Sequence, residues 1–205
     1  VGVLDALGLE SAHLCGVSMG GMIAQHVAAR YPQRVRSLTL MMSTSGARHL
    51  PLPTPAVRRA LLLRPRHDDR EATGAAMQQL LTLIASPAHP PEPQQLRERI
   101  ERAMQRAWHP AGAARQLLAI VADGDRTPLL ARIRAPTLVL HGRDDPLVRV
   151  AAAHDLAARI AGARVETLAG WGHDLPAALL PRLAAAVAQH AHRQAVDRGR
   201  LGLRD

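Results

Sequence analysis

Four short apolar runs punctuate the chain, at 12–17, 35–42, 137–141 and 164–168, and each reads as a strand with turn residues close by. The second, Val35-Arg36-Ser37-Leu38-Thr39-Leu40-Met41-Met42, is mostly apolar, as in a parallel sheet covered on both faces. Between the first two runs, Met22, Ile23, Val27 and Ala28 recur at helical spacing over 20–30, and Tyr31-Pro32 ends that helix. Strand, helix, strand implies a right-handed crossover. From 43 to about 131 the pattern turns helical with proline-rich interruptions. Helices are expected over 57–63, 71–84, 94–108 and 111–122, with a loop at Pro51, Pro53 and Pro55. The stretch 85–93 reads as an interhelix loop rather than a polyproline ligand, because its prolines follow no repeat. After a turn at Pro146 come a helix over 147–160 and, past the last strand, an amphipathic helix over 175–193 carrying Leu179, Leu180, Leu183 and Val187. Residues 1–9 read as the last turns of a helix capped by Gly8, and the charged tail after Gln194 is expected to fray. The fold class is α/β: a mostly parallel sheet flanked by helices and interrupted by a helical insertion.

Three loops that follow apolar runs carry reactive side chains. Gly16-Val17-Ser18-Met19-Gly20-Gly21 leaves the first strand and opens a helix, the context in which a G-x-S-x-G serine becomes a nucleophile. Gly16 and Gly20 are expected to be glycine because a side chain at either would strike the neighbouring strand or helix. The N–H groups that begin the helix point back at Ser18, and Met19 is the expected oxyanion donor. His141-Gly142-Arg143-Asp144-Asp145 ends the third strand, and Gly170-Trp171-Gly172-His173-Asp174 follows the fourth. The order is serine, acid, histidine, each at the end of a strand. Serine is a poor nucleophile at neutral pH, so Ser18 needs a base; His173 is the candidate, its loop brought near the turn by Gly170 and Gly172. On this pattern alone the acid is Asp144 or Asp145. Asp5, Asp123, Asp125 and Asp174 read as caps or surface charges, and Cys15 as a small buried hydrophobe.

Taken together, Gly16-Val17-Ser18-Met19-Gly20-Gly21-Met22-Ile23-Ala24-Gln25, His141-Gly142-Arg143-Asp144-Asp145-Pro146-Leu147-Val148 and Gly170-Trp171-Gly172-His173-Asp174-Leu175-Pro176 resemble the α/β-hydrolase superfamily, in particular esterase-like members such as the anthracycline methylesterases. The likeness runs from residue 4 to about residue 192. It implies Asp145 as the acid, because the family pattern His-Gly-x-x-Asp places its aspartate there, 28 residues before His173. Asp144 is then a turn residue bonding nearby N–H groups, and His141 a structural one. The resemblance further implies a core at 1–43 and 132–205, the C-terminal portion of the fold, and a helical lid over 44–131 that shapes the substrate pocket. A preceding N-terminal part, with the strand beside 12–17 and a second oxyanion donor, is expected to be missing. The edge of the first strand would then be open to self-association. The function implied is a serine hydrolase acting on a small-molecule ester or related carbonyl compound through an acyl-enzyme on Ser18. The alternative is a catalytically silent or partner-dependent fragment. Serine at the turn argues against the dehalogenases and most epoxide hydrolases of this fold, which place aspartate there. No cofactor and no metal are implied.

Composition narrows the reading further. A chain of 205 residues is long enough for one substantial core with an insertion. Its formal charge of +9 rests on arginine, since Lys, Asn and Phe are all absent; these share AT-rich codons, so GC-rich coding accounts for the bias. The arginines are scattered rather than gathered on a stripe with interleaved aromatics, which argues against a nucleic-acid partner. Without lysine there is no Walker-A site, Schiff base or serine-lysine dyad, and a single cysteine allows no internal disulfide. No run approaches the roughly 18 apolar residues of a membrane span, and no signal-peptide pattern opens the chain, so a cytoplasmic protein without a membrane partner is expected.

Overall fold

A computed structural model describes residues 1–62 and 69–200. Among them, four strands form one parallel sheet in the order β1 (Ala12–Val17), β2 (Val35–Met41), β3 (Thr137–Gly142), β4 (Arg164–Leu168). Spatial order follows chain order, and the register pairs Val17 with Met41, Met41 with Leu140 and Leu140 with Glu166. This parallel register brings the ends of β1, β3 and β4 to the same end of the sheet, and that is where the three reactive loops begin.

Two hydrophobic layers cover the sheet. Helix α1 (Gly2–Ala6) precedes β1; its end is closed by Gly8 at φ +65°, with Leu9 N–H donating to Leu4 O and Gly8 N–H to Asp5 O, as the sequence predicts. Helix α2 (Met19–Arg30) joins β1 to β2 and packs Ala24, Ala28 and Ala29 against Leu38, Leu40 and Val139. On the opposite face Met41, Leu138, Leu140 and Leu168 meet Trp171 and, from α9 (Leu180–Arg200), Leu183. Strand residues alternate between the layers, as a period of two requires.

The residues between β2 and β3 carry α3 (Pro55–Leu61), α4 (Arg70–Leu83), α5 (Pro93–Arg106), α6 (Pro110–Asp123) and α7 (Thr127–Leu130). Three of the first four begin at proline, whose fixed φ suits the first turn, and side chains of Thr54, Asp69 and Glu92 cap α3, α4 and α5. These caps start the helices one or two residues earlier than periodicity alone predicts; residue 63, expected to end the first of them, lies outside the described residues. Both ends of this segment converge on Arg126, only 2% exposed, which donates to Thr44 O at 3.0 Å, Asp123 Oδ2 at 2.6 Å and Gln25 Oε1 at 3.3 Å.

Helix α8 (Ala151–Arg159) follows β3 and starts four residues later than expected, because Asp145 captures the backbone that would have begun it. The final helix is preceded by a 3-10 turn at Ala177–Leu179 and continues through the stretch after Gln194 that was expected to fray, as far as Arg200; residues 201–205 lie outside the description. Cys15 is exposed rather than buried. Its register partner is the buried Thr39, and β1 is an edge strand of the described sheet. No described helix is long and apolar enough to cross a membrane.

Candidate active site

Ser18 occupies the junction between β1 and α2 with φ 51° and ψ −116°, a left-handed backbone that a serine adopts only when its surroundings impose it. Here Ser18 N–H donates to Met41 O at 2.8 Å, while Ser18 O accepts Gly21 N–H at 2.9 Å and the Ser43 hydroxyl at 2.9 Å. A Cβ on Gly16 would lie 2.4 Å from Gly20 O, so this glycine is required by contact. The expectation for Gly20 is corrected: a Cβ there meets nothing within 4 Å. The second close approach belongs to Gly21, whose Cβ would lie 2.6 Å from the Ser43 side chain. Met19 is the first residue of α2, so its N–H has no intrahelical acceptor.

The structure brings Ser18, His173 and Asp145 into one chain of hydrogen bonds. His173 Nε2 lies 3.0 Å from Ser18 Oγ, and His173 Nδ1 lies 2.6 Å from Asp145 Oδ2. Asp145 is fully buried and the His173 side chain 8% exposed. The other carboxylate oxygen, Oδ1, accepts N–H groups of Leu147 at 2.9 Å and Val148 at 2.8 Å. Burial pushes the Asp145 carboxyl up, but hydrogen bonds from His141 and His173, the charge of His173 and the Val148 N–H outweigh it and hold the group below the ordinary carboxylate range. His141 Nε2 lies 2.8 Å from Val148 O, and its buried Nδ1 has no hydrogen-bond partner among the described residues.

Asp144 stands apart from Ser18 and works on the histidine loop: its Oδ2 accepts Gly170 N–H at 2.7 Å, a bond across 26 residues rather than a local turn. Gly142 lets the same loop reach the end of β3, since a Cβ there would overlap Trp171 O. Gly170 and Gly172 have a different role from the one expected. A Cβ on Gly170 would lie 2.5 Å from Ala88 Cβ, and one on Gly172 2.6 Å from the Ala85 backbone, so they admit the α4–α5 connection and not the nucleophile turn. Asp125 caps α7 through Thr127 N–H, and Asp5 pairs with Arg34, as expected of a cap and a surface charge. Asp174 is no such surface charge: it accepts the backbone N–H and hydroxyl of Ser86. Ser43 and Ser86 are both fully buried and were not singled out by the sequence, because their partners lie 25 and 88 residues away.

A cavity of about 490 Å³ between α4 and α5, lined by Gly74, Gln78, Ile100 and Met104, contains none of the three linked residues and is not counted in the site. Among the described residues, no group of three His, Cys, Asp or Glu side chains could hold a metal ion.

Comparison with known proteins supplies the context for this geometry. The profile of the alpha/beta hydrolase fold matches residues 2–176. A 2-hydroxy-6-oxononadienedioate/2-hydroxy-6-oxononatrienedioate hydrolase from Paraburkholderia phymatum is 34% identical over 150 residues, covering 72% of this chain and 50% of the relative. A 2-hydroxy-6-oxo-6-phenylhexa-2,4-dienoate hydrolase from Comamonas testosteroni is 32% identical over 174 residues, covering 84% of this chain and 59% of the relative. Among solved structures, a meta-cleavage product hydrolase from Pseudomonas fluorescens superposes with a TM-score of 0.71 at 22% identity, over 93% of this chain and 67% of that one. The chain spans little more than half the length of these curated relatives.

Proposed function

The chain belongs to the alpha/beta hydrolase fold family, and on that premise we propose that it is a serine hydrolase of a small carbonyl compound, with Ser18 as nucleophile, His173 as general base and acid, and Asp145 as the group that orients the imidazole. One observation carries the reading: the continuous chain Ser18 Oγ, His173 Nε2, His173 Nδ1, Asp145 Oδ2, with links of 3.0 Å and 2.6 Å. His173 takes the Ser18 proton as Oγ bonds to the carbonyl carbon, and Met19 N–H receives the negative charge that develops on the carbonyl oxygen. Collapse breaks the bond to the leaving group, which departs with the proton from His173. Water, deprotonated by the same imidazole, then cleaves the acyl-Ser18 bond and restores the serine.

The leaving group defines two readings of this chemistry. An ester releases an alcohol. The names of the curated relatives favour a second substrate class, 2-hydroxy-6-oxo-dienoic acids, in which the bond broken joins two carbons and the departing fragment leaves as an enol. Intact mass after incubation with a fluorophosphonate tests the shared part: fluoride leaves as Ser18 Oγ bonds to phosphorus. A single adduct on the parent and none on Ser18→Ala is expected. No adduct on folded parent overturns the reading of this chain as a self-sufficient hydrolase and favours the partner-dependent fragment. Turnover of a p-nitrophenyl ester and of a 2-hydroxy-6-oxo-dienoate, measured side by side, then separates the substrate classes.

A further inference from the structure

His173 lies on the core side of the chain, yet the residues around it are held by the connection between α4 and α5. His173 N–H donates to Ile84 O at 2.7 Å. One residue earlier, Gly172 N–H donates to Ser86 Oγ at 3.0 Å. One residue later, Asp174 Oδ1 accepts Ser86 N–H at 3.0 Å and the Ser86 hydroxyl at 2.5 Å. Ala88 N–H donates to Gly170 O at 3.2 Å, and Trp171 Nε1–H to Asp174 O at 2.7 Å, closing the loop on itself. The single hydroxyl of Ser86 thus accepts from the residue before His173 and donates to the residue after it. It is fully buried, so water cannot replace either bond cheaply. A Cβ on Gly172 would lie 2.6 Å from the Ala85 backbone, which shows that this connection and the histidine loop are in direct contact.

We propose that Ser86 is a positioning residue for His173: through Gly172 and Asp174 it fixes the imidazole so that Nε2 and Nδ1 reach Ser18 and Asp145 at once. The inference rests on the reading of Ser18 and His173 as nucleophile and base. It also makes the helical segment between β2 and β3 part of the catalytic geometry. The connection cannot withdraw from the core without releasing the base, so opening of that segment and loss of the activated serine are one event.

The test uses the full chain and begins with the parent. Fluorophosphonate labelling of Ser18 establishes the underlying reading; a folded parent that takes no adduct overturns that reading, and this inference with it, before any variant is made. With a labelled parent, Ser86→Ala is expected to slow labelling about 10-fold to 100-fold, as displacement of a reacting group by about 1 Å does. Labelling is followed from pH 5 to 9, and the downfield proton of His173 Nδ1 shared with Asp145 is followed by NMR. The far-UV circular dichroism of the variant is expected to be unchanged and its Nδ1 proton signal broadened or lost. Asp174→Asn keeps an oxygen to accept from Ser86 and is expected to label like the parent. Asp174→Ala is expected to slow labelling as well, and the double variant to be slower by less than the product of the two single effects, because the bond from the Ser86 hydroxyl to Asp174 is lost in both while Gly172 N–H loses its acceptor only in Ser86→Ala. If Ser86→Ala does not fold, Asp174→Ala, altered at a half-buried residue, gives the same readouts. Parent-like labelling across the pH range with an intact Nδ1 proton in the alanine variants would show that Ser86 only ties two loops together, and the proposal would be wrong.

Discussion

The three glycines around Ser18 look equivalent in the sequence and differ in what surrounds them. At Gly16 an added Cβ meets backbone at 2.4 Å, at Gly21 it meets the Ser43 side chain at 2.6 Å, and at Gly20 it meets open space. Gly20→Ala is therefore expected to keep the labelled serine and to raise stability, by up to about 1 kcal/mol from helix propensity, because Gly20 lies in the first turn of α2. Gly16→Ala, which has no flexible side chain to push aside, is expected to lower the melting temperature by many degrees or to prevent folding. Melting curves and adduct yields for the two variants check the contrast, and equal losses would disprove it. The same contrast shows what was legible at this scale. Ser18 and His173 could be read as candidates because each follows an apolar strand, whereas that pattern left Asp144 and Asp145 open and only the family resemblance pointed to Asp145. Gly21 and Ser86 could not, since the atoms that give them their roles belong to Ser43 and Asp174, which no local pattern links to them.

Helices and strands were legible in kind and less so in extent. All four strands were visible from their apolar runs, while α8 starts late because Asp145 takes the N–H groups of Leu147 and Val148 for itself. What no periodicity reports is how elements are fastened. Arg126 holds both ends of the segment between β2 and β3, and its removal would leave the buried Gln25 oxygen and the carbonyl of half-buried Thr44 without this donor. Arg126→Ala is expected to cost about 3 kcal/mol in urea unfolding, and Arg126→Lys to recover only part, since an ammonium lacks the fork that reaches Gln25, Thr44 and Asp123 together. Helix α9 is fastened by His190, 2% exposed, whose Nε2–H donates to Pro136 O at 3.1 Å while Nδ1 has no partner. Burial lowers its pKa and Arg164 and Arg193 lower it further, against the opposing pull of the backbone bond to Pro136. The folded chain thus refuses a proton that the unfolded chain accepts near pH 6.5. Stability from this group is complete above that pH and is lost as pH falls through it toward the lower folded value. The urea midpoint should therefore drop between pH 8 and pH 5.5, and His190→Gln, which keeps a donor but cannot titrate there, should flatten the dependence. An unchanged slope in the variant would remove His190 as its source.

At the scale of the whole molecule the described sheet ends in two edge strands, β1 and β4, and its residues are unevenly covered. Met41, Leu138, Leu140 and Leu168 are sealed beneath Trp171 and Leu183, whereas β1 is an edge strand with Cys15 exposed. Val3, Leu7 and Leu9 around α1, and Ile23 on α2, are exposed as well. An edge strand presents unpaired backbone donors and acceptors to any chain that can add a strand, and neighbouring apolar surface makes that addition favourable. The apolar runs made a parallel sheet legible but not its strand order; the open edge of the first strand was expected from the family resemblance, and β1 is an edge strand among the described residues. We therefore expect this chain, at 22.0 kDa, to sediment as larger species when its concentration rises. Cys15→Arg places a charge at an exposed position of the edge strand, so it should shift the distribution toward monomer. A chain that stays monomeric at all concentrations would show that the edge is self-protected. Association that Cys15→Arg leaves untouched would move the contact to the exposed residues of α1 and α2.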